Sequence, residues 1–178
     1  MTHGTAVHKI SENLSSSPVN PRRLTAPITG YRIGNLHGEH PVFSAEGARR
    51  HGGRWHSAGA RVIYASQHYS TAMLEKLVYF NGDLPPNQHI VAINVPNGVS
   101  YEVVNADQLP NWWQQNCEAA RRYGQQWYND KRSAVLLMPS VVARVEHNML
   151  INALHPDFQK ITAGPETPVW WDKILFSE

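Results

Sequence analysis

Residues 61–80 read RVIYASQHYSTAMLEKLVYF, and this stretch joins a predicted strand directly to a predicted helix. Residues 61–66 form a short apolar run with β-branched side chains, which is typical of a buried strand. Residues 70–80 carry apolar side chains at helical spacing, and Ser70 or Thr71 can cap the N-terminus of this helix. The rest of the chain continues this mixture of short strands and helices.

Short strands outnumber helices along the chain. Strands are predicted at residues 28–33, 61–66, 89–95, 99–104, 134–138, 141–145, 159–162 and 169–176, and helices at 44–50, 70–80 and 110–128. Short strands with two or three helices between them favour an α+β domain over a doubly wound parallel sheet. We expect this domain to span residues 28–178. Residues 1–27 are rich in Ser and Pro and are predicted to be a flexible extension that adds little to the core.

The composition limits the classes of function. The chain has 178 residues, enough for one domain, and a formal net charge of only +2 without a basic stripe, which argues against nucleic acid as a main partner. Cys117 is the only cysteine, which excludes an intramolecular disulfide and a paired-cysteine zinc site. No apolar stretch approaches the ~20 residues of a membrane span, and the N-terminus lacks the apolar core of a secretory signal. We therefore expect a cytosolic protein that does not bind membranes.

Glu75 lies in the predicted helix at residues 70–80, and its position alone indicates a surface side chain. At about 100° per residue it falls well away from an apolar face made of Met73, Leu74, Leu77 and Val78. Arg32 and Arg54 lie near strand ends, where single arginines usually form surface ion pairs. The three residues become informative together, because cleaving a dinucleotide needs both charge types. Arginine offers a forked donor to a diphosphate, and a carboxylate can stabilise a cationic ribose.

Histidine and cysteine patterns give little support to a metal site or a thiolate nucleophile. His37 and His40 have a suitable spacing, but Gly38 lies between them, and a His-Glu-x-x-His motif is absent. Cys117 falls in the predicted helix at residues 110–128 without an activating base nearby. A metal-dependent hydrolase built on the histidines is therefore kept only as a remote alternative.

A serine hydrolase or a phosphate loop is also weakly supported. Ser140, His155 and Asp157 could form a triad, but the glycine-flanked turn that exposes such a serine is missing. By pattern alone Ser140 is a turn residue that ends a strand. Residues 52–54 are glycine-rich and basic, but they lack the strand–loop–helix context of the usual nucleotide folds.

Several short motifs, in their order along the chain, resemble the RES domain of bacterial toxin–antitoxin systems, a family named for an arginine, a glutamate and a serine. The matching stretches are Tyr31-Arg32, Gly53-Arg54-Trp55, residues 62–66, residues 72–75, residues 137–142, residues 146–152 and His155-Pro156. They extend from about residue 30 to residue 160. Each is weak alone, but their order and spacing together identify the chain as a member of this family.

The resemblance implies which residues form the site. The family's arginine falls on Arg32, its glutamate on Glu75 and its serine on Ser140, and these are the implied catalytic residues. The implied NAD-binding residues are Tyr31, Arg32, Arg54, Tyr64 and Asn148. One departure is His56, where the family often has an asparagine after Arg-Trp, and it leaves the contacts of this loop open.

The resemblance also implies a fold and an activity. Such domains are similar to the core of ADP-ribosyltransferase toxins, with a split, mostly antiparallel sheet, flanking helices and NAD held in the cleft. The implied activity is cleavage of the nicotinamide–ribose bond of NAD by water or phosphate, without a metal, in the bacterial cytoplasm. This activity depletes NAD and arrests growth. ADP-ribosyl transfer to a protein and a non-catalytic nucleotide-binding module are the alternatives. The implied partner is an antitoxin of the helix-turn-helix type or an immunity protein, and homo-oligomer formation is left open.

Overall fold

The computed structural model describes residues 21–80, 86–172 and 174. Within them, the strands are β1 (Arg22–Arg23), β2 (Ile28–Asn35), β3 (Val62–Ser66), β4 (Gln88–Val95), β5 (Ser100–Val103), β6 (Val135–Pro139), β7 (His147–Asn152), β8 (Thr162–Ala163) and β9 (Thr167–Pro168). The helices are α1 (Glu46–Arg50), α2 (Tyr69–Leu77) and α3 (Glu118–Asn129), with 3-10 turns at Ala106–Gln108 and Pro156–Lys160.

The strands form one mixed sheet that is mostly antiparallel. Their order is β1-β5-β6-β7-β3-β2-β4-β8, and β9 also pairs with β4. The pairing of β5 with β6 is parallel, and the other pairings are antiparallel. The predicted α+β class is therefore confirmed.

The sheet is split between β2 and β3, as the predicted fold requires. All eight residues of β2 pair with β4, but β2 meets β3 only where Tyr31 lies opposite Ser66. On its other side, β3 pairs with β7 over its whole length. Beyond the single bridge, β2 and β3 no longer pair, and the gap between them leaves room for a cleft.

Two groups of buried side chains pack on opposite faces of the central strands. Successive residues of a strand point to opposite faces, so Ile63 and Leu137 join one group while Val62 and Leu136 join the other. The second group includes Trp127, a fully buried residue of α3 whose indole Nε1 donates to Ser133 Oγ at 2.7 Å. Helix α3 therefore covers the face that carries the cleft.

The helix predicted at residues 110–128 begins later than expected, at Glu118. Asn111 and Cys117 have φ angles of 65° and 58°, and this left-handed backbone cannot continue an α-helix. Trp112 consequently lies in a turn, where its ring packs on Trp55 with centroids 6.4 Å apart. The predicted position of Cys117 inside a helix is wrong.

Three predicted strands also differ from the structure. Residues 141–145 form bends and a turn instead of a strand. Of the stretch 159–162, the first two residues belong to the 3-10 turn that ends at Lys160, and only Thr162 enters a strand. Of the stretch 169–176, residues 169–172 are irregular, and residues 173, 175 and 176 lie outside the described residues.

The sheet begins before the predicted domain boundary at residue 28. Arg22 and Arg23 pair with β5, and the backbone N–H of Leu24 donates to the Val99 carbonyl at 3.0 Å. The side chain of Leu24 packs against the core. Residues 22–24 are therefore part of the domain and not of a flexible extension, while residues 1–20 lie outside the described residues.

Candidate active site

Two adjoining cavities lie at the split in the sheet. Their volumes are about 260 Å³ and 410 Å³, within or near the size range of small-molecule sites. The smaller one is lined by the diverging parts of β2 and β3 and by α2, and the larger one by the loop at residues 51–56 and the end of β6. The residues that line both cavities are Arg32, Tyr64, Glu75, Tyr79 and Asn148.

The polar floor of the cleft follows from side-chain alternation on three neighbouring strands. Side chains two residues apart on a strand share a face. On the face that carries α3, polar side chains lie at neighbouring ends of β3, β6 and β7. Ser66 is the last residue of β3, Ser140 directly follows β6, and Asn148 is the second residue of β7 and pairs with Ser66. The polar ends of the three strands therefore meet beneath α2.

Glu75 of α2 is held by two of these polar residues. Its Oε1 accepts hydrogen bonds from Ser140 Oγ at 2.8 Å and from Asn148 Nδ2 at 2.5 Å. Asn148 is oriented in turn by Ser66 Oγ, which donates to its Oδ1 at 2.6 Å. The fully buried Ser140 Oγ also accepts from the Ala143 backbone N–H at 3.0 Å. The network brings together Glu75, Ser140 and Asn148 and fixes the carboxylate in one orientation.

The side of α2 that faces the cleft is not the one that periodicity predicts. Leu74 and Val78, assigned to a buried face, are 46% and 59% exposed, whereas Thr71 and Ala72 are buried and Glu75 is half-buried. The predicted apolar face is therefore wrong for these two residues. The polar network beneath the helix holds Glu75 on the inner side. The predicted capping role of Thr71 is also wrong, because its hydroxyl donates to Glu146 and α2 begins at Tyr69.

Arg32 carries a positive charge into the cleft and has no carboxylate partner among the described residues. Its Nη1 donates to the Tyr64 carbonyl at 3.0 Å, across the gap between β2 and β3. Its Nε is buried and has no hydrogen-bond partner within the described residues. Burial lowers the pKa of Arg32, but a guanidinium remains protonated at any physiological pH. The cleft therefore holds a half-buried cation that an anionic ligand can neutralise.

Lys76 is a second cation in the smaller cavity, and it was missed by the sequence reasoning. Burial, and then the charge of Arg32, lower the pKa of its ammonium group. A lysine beside a glutamate on a helix is ordinary in a sequence, so no local signal could have identified it. Together, Arg32 and Lys76 favour a ligand with negative charge.

Tyr64 of β3 lines both cavities, and its hydroxyl contacts two residues of the loop at residues 51–56. The Tyr64 oxygen accepts from the Trp55 backbone N–H at 3.1 Å and lies 2.8 Å from His56 Nδ1. Burial raises the pKa of Tyr64, although the Trp55 hydrogen bond acts in the opposite direction, so the side chain is a neutral phenol. His56, which is only 2% exposed, was not predicted to be part of the site.

Tyr31 and Arg54 line different cavities. Tyr31 lines the smaller one and packs edge-on against Tyr69, with ring centroids 6.2 Å apart. Arg54 lines the larger one, and its Nη1 donates to the carbonyls of Gln114 at 2.8 Å and Trp112 at 3.3 Å. In this structure the Arg54 guanidinium therefore orders the turn before α3.

The weaker alternatives have no matching geometry in the described residues. His155 Nε2 lies 3.5 Å from Ser100 Oγ and Asp157 accepts from the Ser100 N–H, so neither residue orients Ser140. No three His, Cys, Asp or Glu side chains among residues 21–80, 86–172 and 174 are grouped to hold a metal ion. In the same part of the chain, no helix is long and apolar enough to cross a bilayer.

Comparisons with known proteins agree with this fold. Residues 29–172 match the RES domain. The chain belongs to the RES-domain family of toxins. Its relatives include the Prs ADP-ribosylating toxin of Sphingobium sp. (strain YBL2), which is 42% identical over 68% of this chain and 78% of the relative. Another is Toxin Res of Pseudomonas putida, 35% identical over 75% of this chain and 92% of the relative.

The fold of this RES domain is also found in a solved structure. A chain from the crystal structure of the M. tuberculosis MbcT–MbcA toxin–antitoxin complex superposes on it with a TM-score of 0.64. The match covers 82% of this chain and 85% of that chain, at 16% sequence identity. The predicted family and fold are therefore confirmed.

Proposed function

We propose that this RES-domain protein is a bacterial toxin that cleaves the nicotinamide–ribose bond of NAD in the cleft beside Glu75. The observation that carries the proposal is a hydrogen-bonded carboxylate in a cleft that also holds two cations, Arg32 and Lys76. Neither cation has a carboxylate partner among the described residues. NAD has both complementary features, because it combines a diphosphate with a ribose that becomes cationic when nicotinamide leaves. The 42% identical relative, an ADP-ribosylating toxin by name, supports the same substrate.

Each residue of the cleft has a role that its contacts support. Arg32 and Lys76 bind the diphosphate or nearby ribose oxygens, and the flat ring of Tyr64 packs against the nicotinamide half. Ser140 and Asn148 orient Glu75, whose negative charge stabilises the developing ribose cation. The C–N bond breaks with its electron pair going to nicotinamide, and a nucleophile then adds to the ribose carbon and loses its proton. This chemistry needs no metal.

The acceptor distinguishes two forms of this activity. Transfer to water or phosphate makes the protein a glycohydrolase or a phosphorylase, which depletes NAD. Transfer to a protein side chain makes it an ADP-ribosyltransferase, and the name of the 42% identical relative favours this second candidate. Mass spectrometry of the products, with and without phosphate and with a bacterial lysate as a source of protein acceptors, separates the three outcomes.

The decisive variant is Glu75→Gln, which keeps the size of the side chain and removes its charge. We expect nicotinamide release to fall by about 100- to 1,000-fold, since this is the usual cost of losing one electrostatic contact to a transition state. NAD affinity should change much less, because the ribose of bound NAD is not yet cationic. Nicotinamide is measured by chromatography and affinity by calorimetry.

The control for this variant is Glu118→Gln, which neutralises an exposed carboxylate in the first turn of α3. Expression of the wild type should arrest bacterial growth, whereas the Glu75→Gln variant should not. Near wild-type release from folded Glu75→Gln would overturn the proposed role. Soluble wild-type protein that leaves growth and NAD unchanged would overturn the activity itself and favour a binding module. Activity lost to a chelator would favour a metal-dependent hydrolase.

An antitoxin that covers the cleft is the proposed partner, of the helix-turn-helix type or an immunity protein. The structural neighbour comes from a toxin–antitoxin complex, which supports a partner of this kind. At the cleft, Val78 and Tyr79, which follow α2, are 59% and 81% exposed, and Leu74 of α2 is 46% exposed. Large exposed apolar side chains beside a functional cleft are typical of a protein interface. The proposed location is the bacterial cytoplasm, where both NAD and such an antitoxin occur.

A further inference from the structure

His56 is a buried polar ring whose two nitrogens make different contacts. Its Nε2 lies 2.9 Å from the carbonyl oxygens of both Ala48 and His51. A carbonyl oxygen can only accept a hydrogen bond, so Nε2 must carry a proton. In the neutral ring, Nδ1 is then the acceptor, and it lies 2.8 Å from the Tyr64 hydroxyl oxygen.

The tautomer of His56 determines whether the Tyr64 hydroxyl donates or accepts the hydrogen bond between them. In the neutral tautomer with the proton on Nε2, the phenol donates to His56 Nδ1, and its oxygen accepts from the Trp55 N–H at 3.1 Å. The hydroxyl is thus turned towards the loop, and its single proton is already engaged. The aromatic ring, which lines both cavities, remains for contact with a ligand.

The backbone at Gly53 packs closely against both His56 and Tyr64. A methyl group at Gly53 would lie 2.7 Å from His56 Cε1 and 2.9 Å from the Tyr64 hydroxyl oxygen. Contacts this short do not occur in proteins, so the backbone of the loop is packed directly against the paired side chains. Neither ring can shift towards Gly53 without moving the loop.

We propose that His56 is a positioning residue, which fixes the Tyr64 hydroxyl so that the ring of Tyr64 contacts the substrate through its face. The inference rests on the proposed function, because it assigns Tyr64 a place against bound NAD. It goes beyond that function by giving His56 a role and by assigning the Tyr64 proton to His56 instead of to the substrate.

Two substitutions separate the contacts of His56. In His56→Asn, the side-chain Oδ1 takes the place of Nδ1, so the acceptor for Tyr64 is kept while the bonds to the carbonyls of Ala48 and His51 are lost. In His56→Gln, the longer amide reaches the place of Nε2, so the carbonyl contacts are kept and the acceptor for Tyr64 is lost. Each variant therefore removes one side of the network.

The measurement is nicotinamide release per folded molecule, with His37→Gln as a control at an exposed histidine. We expect His56→Gln to lose roughly five- to tenfold in kcat/KM, the effect of one net hydrogen bond, and His56→Asn to lose no more than about twofold. Tyr64→Phe removes this bond and also the acceptor for the Trp55 N–H, so it should lose at least as much as His56→Gln. The double variant should be no worse than Tyr64→Phe alone, because the bond to His56 is already absent there. Equal losses in His56→Asn and His56→Gln, or additive losses in the double variant, would overturn the proposal.

A second readout does not depend on activity. The ¹⁵N chemical shifts of the His56 ring report which nitrogen is protonated, and we expect the proton on Nε2. A proton on Nδ1 would overturn the proposal even in a fully active protein. Wild-type protein that releases no nicotinamide would instead overturn the proposed function, while the ring tautomer would still test the contact between His56 and Tyr64.

Discussion

At the scale of single residues, Ser140 links the backbone to the carboxylate of Glu75, which we propose to be catalytic. Its hydroxyl accepts from the Ala143 N–H and donates to Glu75, and it is fully buried. Its donor and acceptor capacities are both used, so we expect Ser140 to contribute to stability as well as to the proposed activity. The two contributions can be separated, because the chain contains a second buried serine outside the cleft.

We predict that Ser140→Ala lowers nicotinamide release roughly 10- to 100-fold, because Glu75 loses one of its two donors and even a shift of about 1 Å in a reacting group is costly. The matched control is Ser133→Ala. Ser133 is equally buried, accepts from Trp127 Nε1 and donates to the Val135 carbonyl. Both variants should lose about 1–3 kcal/mol of unfolding free energy, measured in denaturant. Only Ser140→Ala should lose activity, and a similar loss in both would contradict its role.

The residues of the site could be predicted from the sequence only through their combination. Helical periodicity by itself assigns Glu75 to the solvent, whereas the structure places Glu75 with Ser140 and Asn148. The signal was the order of short motifs, because the three residues come from separate elements and meet only in three dimensions. His56 and Lys76 were missed, because their roles depend on contacts that no local pattern records.

At the scale of elements, the position of α3 depends on Gly124. A methyl group there would overlap the carbonyl oxygen of Trp55 and lie 3.0 Å from its carbonyl carbon. The helix therefore packs directly on the backbone of the loop that carries Trp55 and His56. This close approach explains why a helix-weakening residue lies in the middle of α3.

We predict that Gly124→Ala lowers the free energy of unfolding by about 1–3 kcal/mol, although alanine is the better helix former. Gly47→Ala in α1 is the opposite case, since a methyl group at Gly47 would meet nothing within 4 Å. That variant should gain about 0.5–1 kcal/mol. Thermal or chemical unfolding tests both, and a stabilised Gly124→Ala would show that α3 does not require this contact.

A second contact between elements is centred on Asp157. This buried carboxylate accepts from the Ser100 N–H of β5 at 3.2 Å, from Lys160 at 2.6 Å and from Arg23 of β1 at 3.2 Å. Burial acts to raise the pKa of Asp157, but the hydrogen bonds from Lys160 and Ser100 outweigh it and hold this pKa well below its usual range. A carboxyl group whose pKa is lowered by folding stabilises the folded state only while it is ionised.

We therefore predict that Asp157→Asn costs about 1.5–3 kcal/mol of unfolding free energy at pH 7. The difference from the wild type should be present above pH ~4, near the pKa of an unfolded aspartate, and should shrink as the pH falls below that value. Denaturant unfolding from pH 7 to pH 3 tests this, with Asp107→Asn as a control at an exposed carboxylate. A difference that does not change with pH would rule out an ionic contribution.

The elements themselves were predicted to different degrees. β3 and β6 were well predicted, because their apolar runs are unambiguous. The start of α3 was not, because the tryptophans before it mimic a helical face while Asn111 and Cys117 adopt left-handed backbone that no periodicity reports. The orientation of α2 was missed for a similar reason, since a nine-residue helix can place either side on a polar cleft.

At the scale of the whole molecule, the N-terminal strand is more important than the composition of residues 1–27 suggests. We predict that deleting residues 1–26 lowers the melting temperature by about 4–8 °C relative to deleting residues 1–20, because only the longer deletion removes β1 and the packed Leu24. Calorimetry of the two truncated proteins tests this. Equal melting temperatures would restore the boundary at residue 28 that the sequence suggests.

The single bridge between Tyr31 and Ser66 makes the seam between β2 and β3 a weakly hydrogen-bonded part of the sheet. Adjacent strands elsewhere in the central sheet share several consecutive pairs, whereas this seam has one bridge and the Arg32 hydrogen bond to the Tyr64 carbonyl. Amide hydrogens along the seam should therefore exchange with solvent through local opening well before the molecule unfolds. A ligand that contacts both β2 and β3 would link the two strands, and its binding would appear as slower exchange of the amide hydrogens along the seam.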